Sequence, residues 1–156
     1  MKIVAPKLFA VVMVTALLMG AAAVAAQMKQ ESLYKRLGGY DALAAVTDDF
    51  IGRLATDKQL SKFFVGHSTD SLDHIRQLIV DQLCAATGGP CKYIGRNMKV
   101  AHAGLGITDA DWDLSVKHLV ATLDKFKVPQ KEKDEVLGAI STMKADIVDP
   151  APAKKM

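Results

Sequence analysis

From Leu33 onward the apolar residues recur three and four positions apart, and nowhere do they alternate singly between turn signals. That spacing puts them on one face of a helix, whereas a strand would need a period of two, so the chain is expected to be all-α. A helical turn is expected over 31–36, and a helix over 41–55 that buries Leu43, Val46, Phe50 and Leu54. A short turn over 60–64 brings Phe63 and Phe64 together, and 65–70 reads as a loop. Asp70 or Ser71 is the expected cap of a helix over 72–86. Its stripe is Leu72, Ile75, Ile79, Leu83 and Ala86, widened by Leu78 and Val80. A short helix over 98–103 follows. Thr108 then caps a long helix whose buried face is Trp112, Val116, Leu119, Leu123 and Phe126. The last helix starts after Pro129 and continues to about Ile147, lined by Val136, Ile140, Met143 and Ile147. Glycines at 38–39, 88–89, 104 and 106 punctuate these elements, and a plain four-helix bundle has no need of the irregular stretch from Gly88 to Gly106.

The first 26 residues have a different character. Lys2 and Lys7 precede an apolar run over 8–18, and a small-residue stretch ends Ala-Val-Ala-Ala before Gln27. This is the three-part pattern of a secretory signal peptide, with cleavage expected after Ala26. The run is short for a membrane span, and an uncleaved anchor is the alternative. The remaining chain is expected to form one domain over 27–148 and a flexible tail over 149–156. Without Lys2 and Lys7 the 20 basic residues fall to 18 against 17 acidic ones. Neither that balance nor any motif suggests a nucleic-acid surface.

Cys84 and Cys91 flank the turn Gly88-Gly89-Pro90. Outside the cytoplasm an even cysteine count permits a disulfide, and two inert thiols are the other reading. The pair is not a C-x-x-C redox motif, and no Cys/His cluster has zinc spacing. No phosphate loop or nucleophile elbow is present. Asp48-Asp49 reads as a solvated face. Of the four histidines, His102 stands out, because its short helix lies between two irregular stretches where an imidazole could face a pocket.

Taken in order, these landmarks resemble the truncated haemoglobin family, group I. The resemblance covers about Ser32 to Val148. It rests on Leu33-Tyr34-x-x-Leu37-Gly38-Gly39, Asp49-Phe50-x-x-Arg53-Leu54 and Leu60-Ser61-x-Phe63-Phe64. It continues through Gly88-Gly89-Pro90-x-x-Tyr93-x-Gly95 and Met98-Lys99-x-x-His102-x-Gly104-x-Gly106-Ile107, then Trp112 and Val128-Pro129. It implies a two-over-two helical sandwich around one haem b (iron protoporphyrin IX), with His102 as the proximal iron ligand. Tyr93, Lys99 and, more loosely, Arg96 match positions that approach the haem propionates. Phe64 matches a ring packed on the haem, and Phe63, Met98, Val116, Leu119 and Ile140 match its apolar walls.

The chain departs from the family on the distal side. Where many relatives carry a Tyr after the residue matched by Phe50, it has Ile51, and where a Gln often stands it has Ile79. With Ile75, Leu78 and Leu83 the matched site is wholly apolar and offers no hydrogen bond to a bound gas. The loop after Phe64 is about three residues longer than the family pattern, so a shifted register could bring His67 or His74 to the iron as a sixth ligand. The resemblance therefore implies binding of oxygen, nitric oxide or carbon monoxide by a monomer. The alternative is a nitric oxide dioxygenase or weak peroxidase on the same haem, served by a periplasmic electron donor.

Overall fold

The computed structural model describes residues 31–149. The expected signal segment 1–26 and the tail beyond Asp149 lie outside them. The described residues form helices and connecting turns, with no strand among them. We label the helices α1 (Leu33–Arg36), α2 (Gly39–Thr56), α3 (Thr69–Ala86), α4 (Met98–His102), α5 (Asp109–Lys125), α6 (Gln130–Ser141) and α7 (Lys144–Ile147). A 3-10 turn over Ser61–Phe64 joins α2 to α3.

α2 packs against α3 and α5, and α5 packs in turn against α6. The core forms where these helices meet, from Val46, Leu119, Leu123 and Val136. Leu33, Leu37, Phe50 and Ile140 close around them. Each large side chain buried there is worth about 1.5–3 kcal/mol. Polar ties fix the register of the pairs. Asp49 on α2 accepts from Arg53, from Thr122 on α5 at 2.8 Å, and from Lys125. Asp48 pairs with Arg76 on α3. Asp49 is therefore a clamp between helices rather than a solvated face, whereas Asp48 stays exposed while it pairs with Arg76. Arg36 holds α1 to α6 through Glu132 and Glu135.

Several boundaries differ from the sequence expectation, each for a local reason. α3 begins at Thr69 because the Ser68 hydroxyl accepts the Ser71 N–H, so neither Asp70 nor Ser71 is the cap. The last helix is broken in two. Ser141 and Thr142 turn their hydroxyls back to the carbonyls of Gly138 and Ala139, and Met143 closes a tight turn on Ile140. Phe126 caps α5 and is 40% exposed rather than buried. Ala86 is also exposed, while Val80 and Cys84 on the same helix are fully buried. Thus α3 turns Val80 and Cys84 inward and leaves Ile75, Ile79 and Leu83 for another surface.

At Thr108 the expectation holds in detail. Its hydroxyl accepts the Asp111 N–H, and the Asp111 carboxylate accepts the Thr108 N–H, a reciprocal capping box. Cys84 and Cys91 are joined, with Cα atoms 5.7 Å apart, so of the two readings the disulfide is the one formed.

Candidate functional site

The surface that α3 leaves open lines a cavity of about 430 Å³. Opposite it stand α4 and α5, and the end of the chain closes one side with Ile140, Met143 and Ile147. α2 contributes Phe50, Ile51 and Leu54, and the 3-10 turn contributes Phe63 and Phe64. From α3 come Ile75, Leu78, Ile79, Gln82 and Leu83. Met98, Ala101 and His102 come from α4, with Tyr93 just before it. α5 supplies Trp112, Ser115, Val116 and Leu119. The lining is thus overwhelmingly apolar with few polar groups, the character of a cofactor pocket.

His102 is partly buried in this wall. Its Nδ1 lies 2.9 Å from the Met98 carbonyl oxygen. A carbonyl can only accept, so Nδ1 carries the proton and Nε2 keeps its lone pair. A ligating histidine is commonly oriented in this way, by a hydrogen bond from its other nitrogen. Asn97 fixes the helix that presents the ring, its side chain accepting the Val100 N–H at 2.9 Å. The described residues hold no cluster of three or more His, Cys, Asp or Glu side chains able to bind a metal unaided. One free imidazole nitrogen in a broad apolar cavity fits a metal that brings its own equatorial ligands, which is what haem does.

Twelve of the residues expected at the site lie in the cavity wall: His102, Phe64, Tyr93, Met98, Phe50, Ile51, Ile75, Leu78, Ile79, Leu83, Val116 and Leu119. Arg96 and Lys99 are exposed residues on the segment that carries His102 and do not line it. Tyr93 donates its hydroxyl proton to the Arg96 carbonyl at 2.6 Å, and burial pushes its phenol above the usual range. His67 reaches the wall, with Nδ1 3.1 Å from the Ser71 hydroxyl, whereas His74 is exposed and away from it. The fourth histidine, His118, pairs with Asp57 at 2.9 Å.

Sequence reading missed Gln82, Leu105, Ile107 and Asp111 as wall residues. Gln82 was legible. It follows Ile79 by three and Leu78 by four, hence shares their face, but its polarity hid it. Its amide donates to the Met143 sulfur at 3.4 Å. Asp111 is 2% exposed and accepts from Gln59, Thr108 and Lys62. Burial would raise its carboxyl, but these donors prevail and hold it well below the usual carboxylate range.

A small helical sandwich with an oriented histidine on a short helix facing a largely apolar cavity defines a haem-binding globin. The bacterial-like globin family model matches residues 32–149. A group 1 truncated haemoglobin of Mycolicibacterium paratuberculosis is 38% identical over 116 residues, covering 74% of this chain and 83% of that protein. One from Tetrahymena pyriformis is 30% identical and is covered over 97% of its length. The solved Fe(III) form of the Tetrahymena pyriformis protein superposes with a TM-score of 0.71 at 29% identity, covering 77% of this chain and all of that one. The 2/2 haemoglobin of a Synechococcus species, solved in its cyanomet state with covalently attached haem, gives 0.70 at 29% identity. The chain belongs to the bacterial-like globin family, among its group 1 truncated haemoglobins, and its cofactor is haem.

Proposed function

We propose that this protein binds oxygen, nitric oxide or carbon monoxide on the haem face opposite His102, and that it acts outside the cytoplasm. One observation carries the reading: His102 Nε2, kept free by the bond from Nδ1 to Met98, belongs to the same cavity as the hydrocarbon of Ile51, Ile75, Leu78 and Ile79. Bound haem would supply an iron with one position for the imidazole and one for a small gas. The chain's own residues then divide the work. His102 would hold the iron through its free Nε2. Phe64, Met98 and Val116 exclude water and pack the ring. Tyr93, Arg96 and Lys99 stand on one segment, suited to meet the carboxylates at the haem edge. Ile51, Ile75, Leu78 and Ile79 admit an apolar gas but donate no hydrogen bond to it. The lack of a donor among these four, with Gln82 of the same wall hydrogen-bonded to the Met143 sulfur and His67 to Ser71, favours reversible binding over reactions that need a long-lived oxygenated state.

Export is supported by the signal-like residues 1–26 and by the Cys84–Cys91 bridge, a bond that persists in oxidising compartments. The mass of protein recovered from the periplasm would then begin at Gln27, and recovery of the unprocessed chain from the cytoplasm alone would reject it. Absorption spectra of protein made with ample haem test the function. We expect a Soret band, a five-coordinate ferrous form and a shift on adding carbon monoxide, all lost in His102→Gly and partly restored by free imidazole. An unchanged band in that variant, or none in the wild type, would sink the proposal.

A further inference from the structure

The gas-binding reading makes no use of the disulfide, yet the bridge joins the two walls of the cavity. Cys84 lies near the end of α3, fully buried, one residue after the wall residue Leu83. Cys91, its less buried partner, precedes Tyr93 by two residues and opens the segment that leads into α4 and His102. Residues 90–97 form neither helix nor strand. Their hydrogen bonds stay local: Tyr93 donates to the Arg96 carbonyl, and Asn97 takes the N–H groups of Val100 and Ala101. The last backbone bond to α3 is Gly89 N–H to the Cys84 carbonyl, at 2.8 Å. Among the described residues, and apart from the backbone through residues 87–89, the Cys84–Cys91 bond is thus the only covalent or hydrogen-bonded tie between residues 90–97 and α3. On its far side α4 rests on α7 instead.

We propose that Cys84–Cys91 is a thiol-exchange site, open to a dithiol reductant, that sets how firmly the protein holds its haem. The attacking thiolate bonds to the Cys91 sulfur, and the Cys84 sulfur leaves with the electron pair and takes up a proton. The reductant's second thiolate then attacks the mixed disulfide. It frees Cys91 as a thiolate, which is protonated, and the reductant departs as its own disulfide, having given two electrons. Cys84 stays in the core as a small apolar thiol, so the helices keep their packing. Residues 90–97 lose their anchor, and α4 no longer holds His102 at a fixed distance from Ile75 and Ile79. Haem escape becomes easier without unfolding.

The inference rests on the haem reading, and the test separates the two. Haem-loaded protein is mixed with excess apomyoglobin, and transfer is followed in the Soret band, before and after treatment with a phosphine reductant and thiol titration. The loop-closure value of so short a bridge caps the effect at about a hundredfold, and transfer should run at least about threefold faster once two thiols are free. It should return to the slow rate on reoxidation. Trypsin should cut sooner after Lys92 or Arg96 in the reduced form. A double variant, Cys84→Ala with Cys91→Ser, should transfer fast whether or not reductant is present. Equal transfer rates for the titrated oxidised and reduced proteins overturn the inference alone. So does a reductant effect that persists in the double variant. Failure to take up haem in either state overturns the haem reading as well.

Discussion

Three residues carry most of the chemistry argued above, and each is set by a specific neighbour. His102 is suited to ligate iron because the Met98 carbonyl fixes its tautomer. Ile79 matters for the hydrogen bond it does not make. Ile79→Gln would place an amide on the cavity face of α3, and a good bond to a bound gas is worth about 1–2 kcal/mol. Oxygen release measured by stopped flow should slow about tenfold, while carbon monoxide release should change little. Asp111 is the third, a buried carboxylate fed by Gln59, Thr108 and Lys62. Asp49 is similar, held low first by Arg53, then by Lys125 and Thr122. Both are more acidic folded than unfolded, so their stabilisation is complete above the unfolded value. It is lost as pH falls from about 4 toward the folded values. Denaturant titrations should show stability dropping through that acid window. Asp111→Asn should cost about 1–2 kcal/mol at neutral pH and flatten the acid slope.

At the scale of elements, the turn after α3 is a tightly packed joint. A Cβ on Gly89 would stand 2.6 Å from the Cys84 sulfur, 2.6 Å from the Tyr34 ring and 2.8 Å from the Cys84 carbonyl. Two of those neighbours are a bridged sulfur and backbone, which cannot swing aside. Gly89→Ala should therefore destabilise the fold by about 1–3 kcal/mol in thermal or urea unfolding. This joint was partly legible, since the paired glycines and Pro90 mark a stop. The Tyr34 ring that packs there was not, because nothing local ties α1 to the end of α3. Helix existence followed directly from the three-and-four spacing. Boundaries slipped where short polar side chains compete for backbone, as Ser68 does at the start of α3 and Ser141 with Thr142 after α6. Long-range ion pairs such as Arg36 with Glu132 were out of reach for the same reason: spacing along a chain says which face a residue is on, not what stands across from it.

For the molecule as a whole, the cavity means that much of the apolar surface of α3 and α5 finds its packing partner only in the cofactor. The protein without haem should melt at least about 10 °C lower than the loaded form by calorimetry, because a ligand that binds only the folded state stabilises it. Most of the cavity wall was readable once the family pattern had placed His102. The longer loop expected after Phe64 made the distal register the hardest part, and the structure keeps Ile75 and Ile79 on the wall with His74 outside. Asp149 adds one more constraint at this scale. Its N–H reaches the Ile107 carbonyl, and its carboxylate takes the Gly106 N–H at 2.8 Å. The latch therefore grips the strap that follows His102. Ending the chain before Asp149, or attaching a bulky fusion directly behind it, would disturb the strap beneath the candidate haem site. Expression designs that leave the C-terminal side unburdened should give the more faithfully loaded protein.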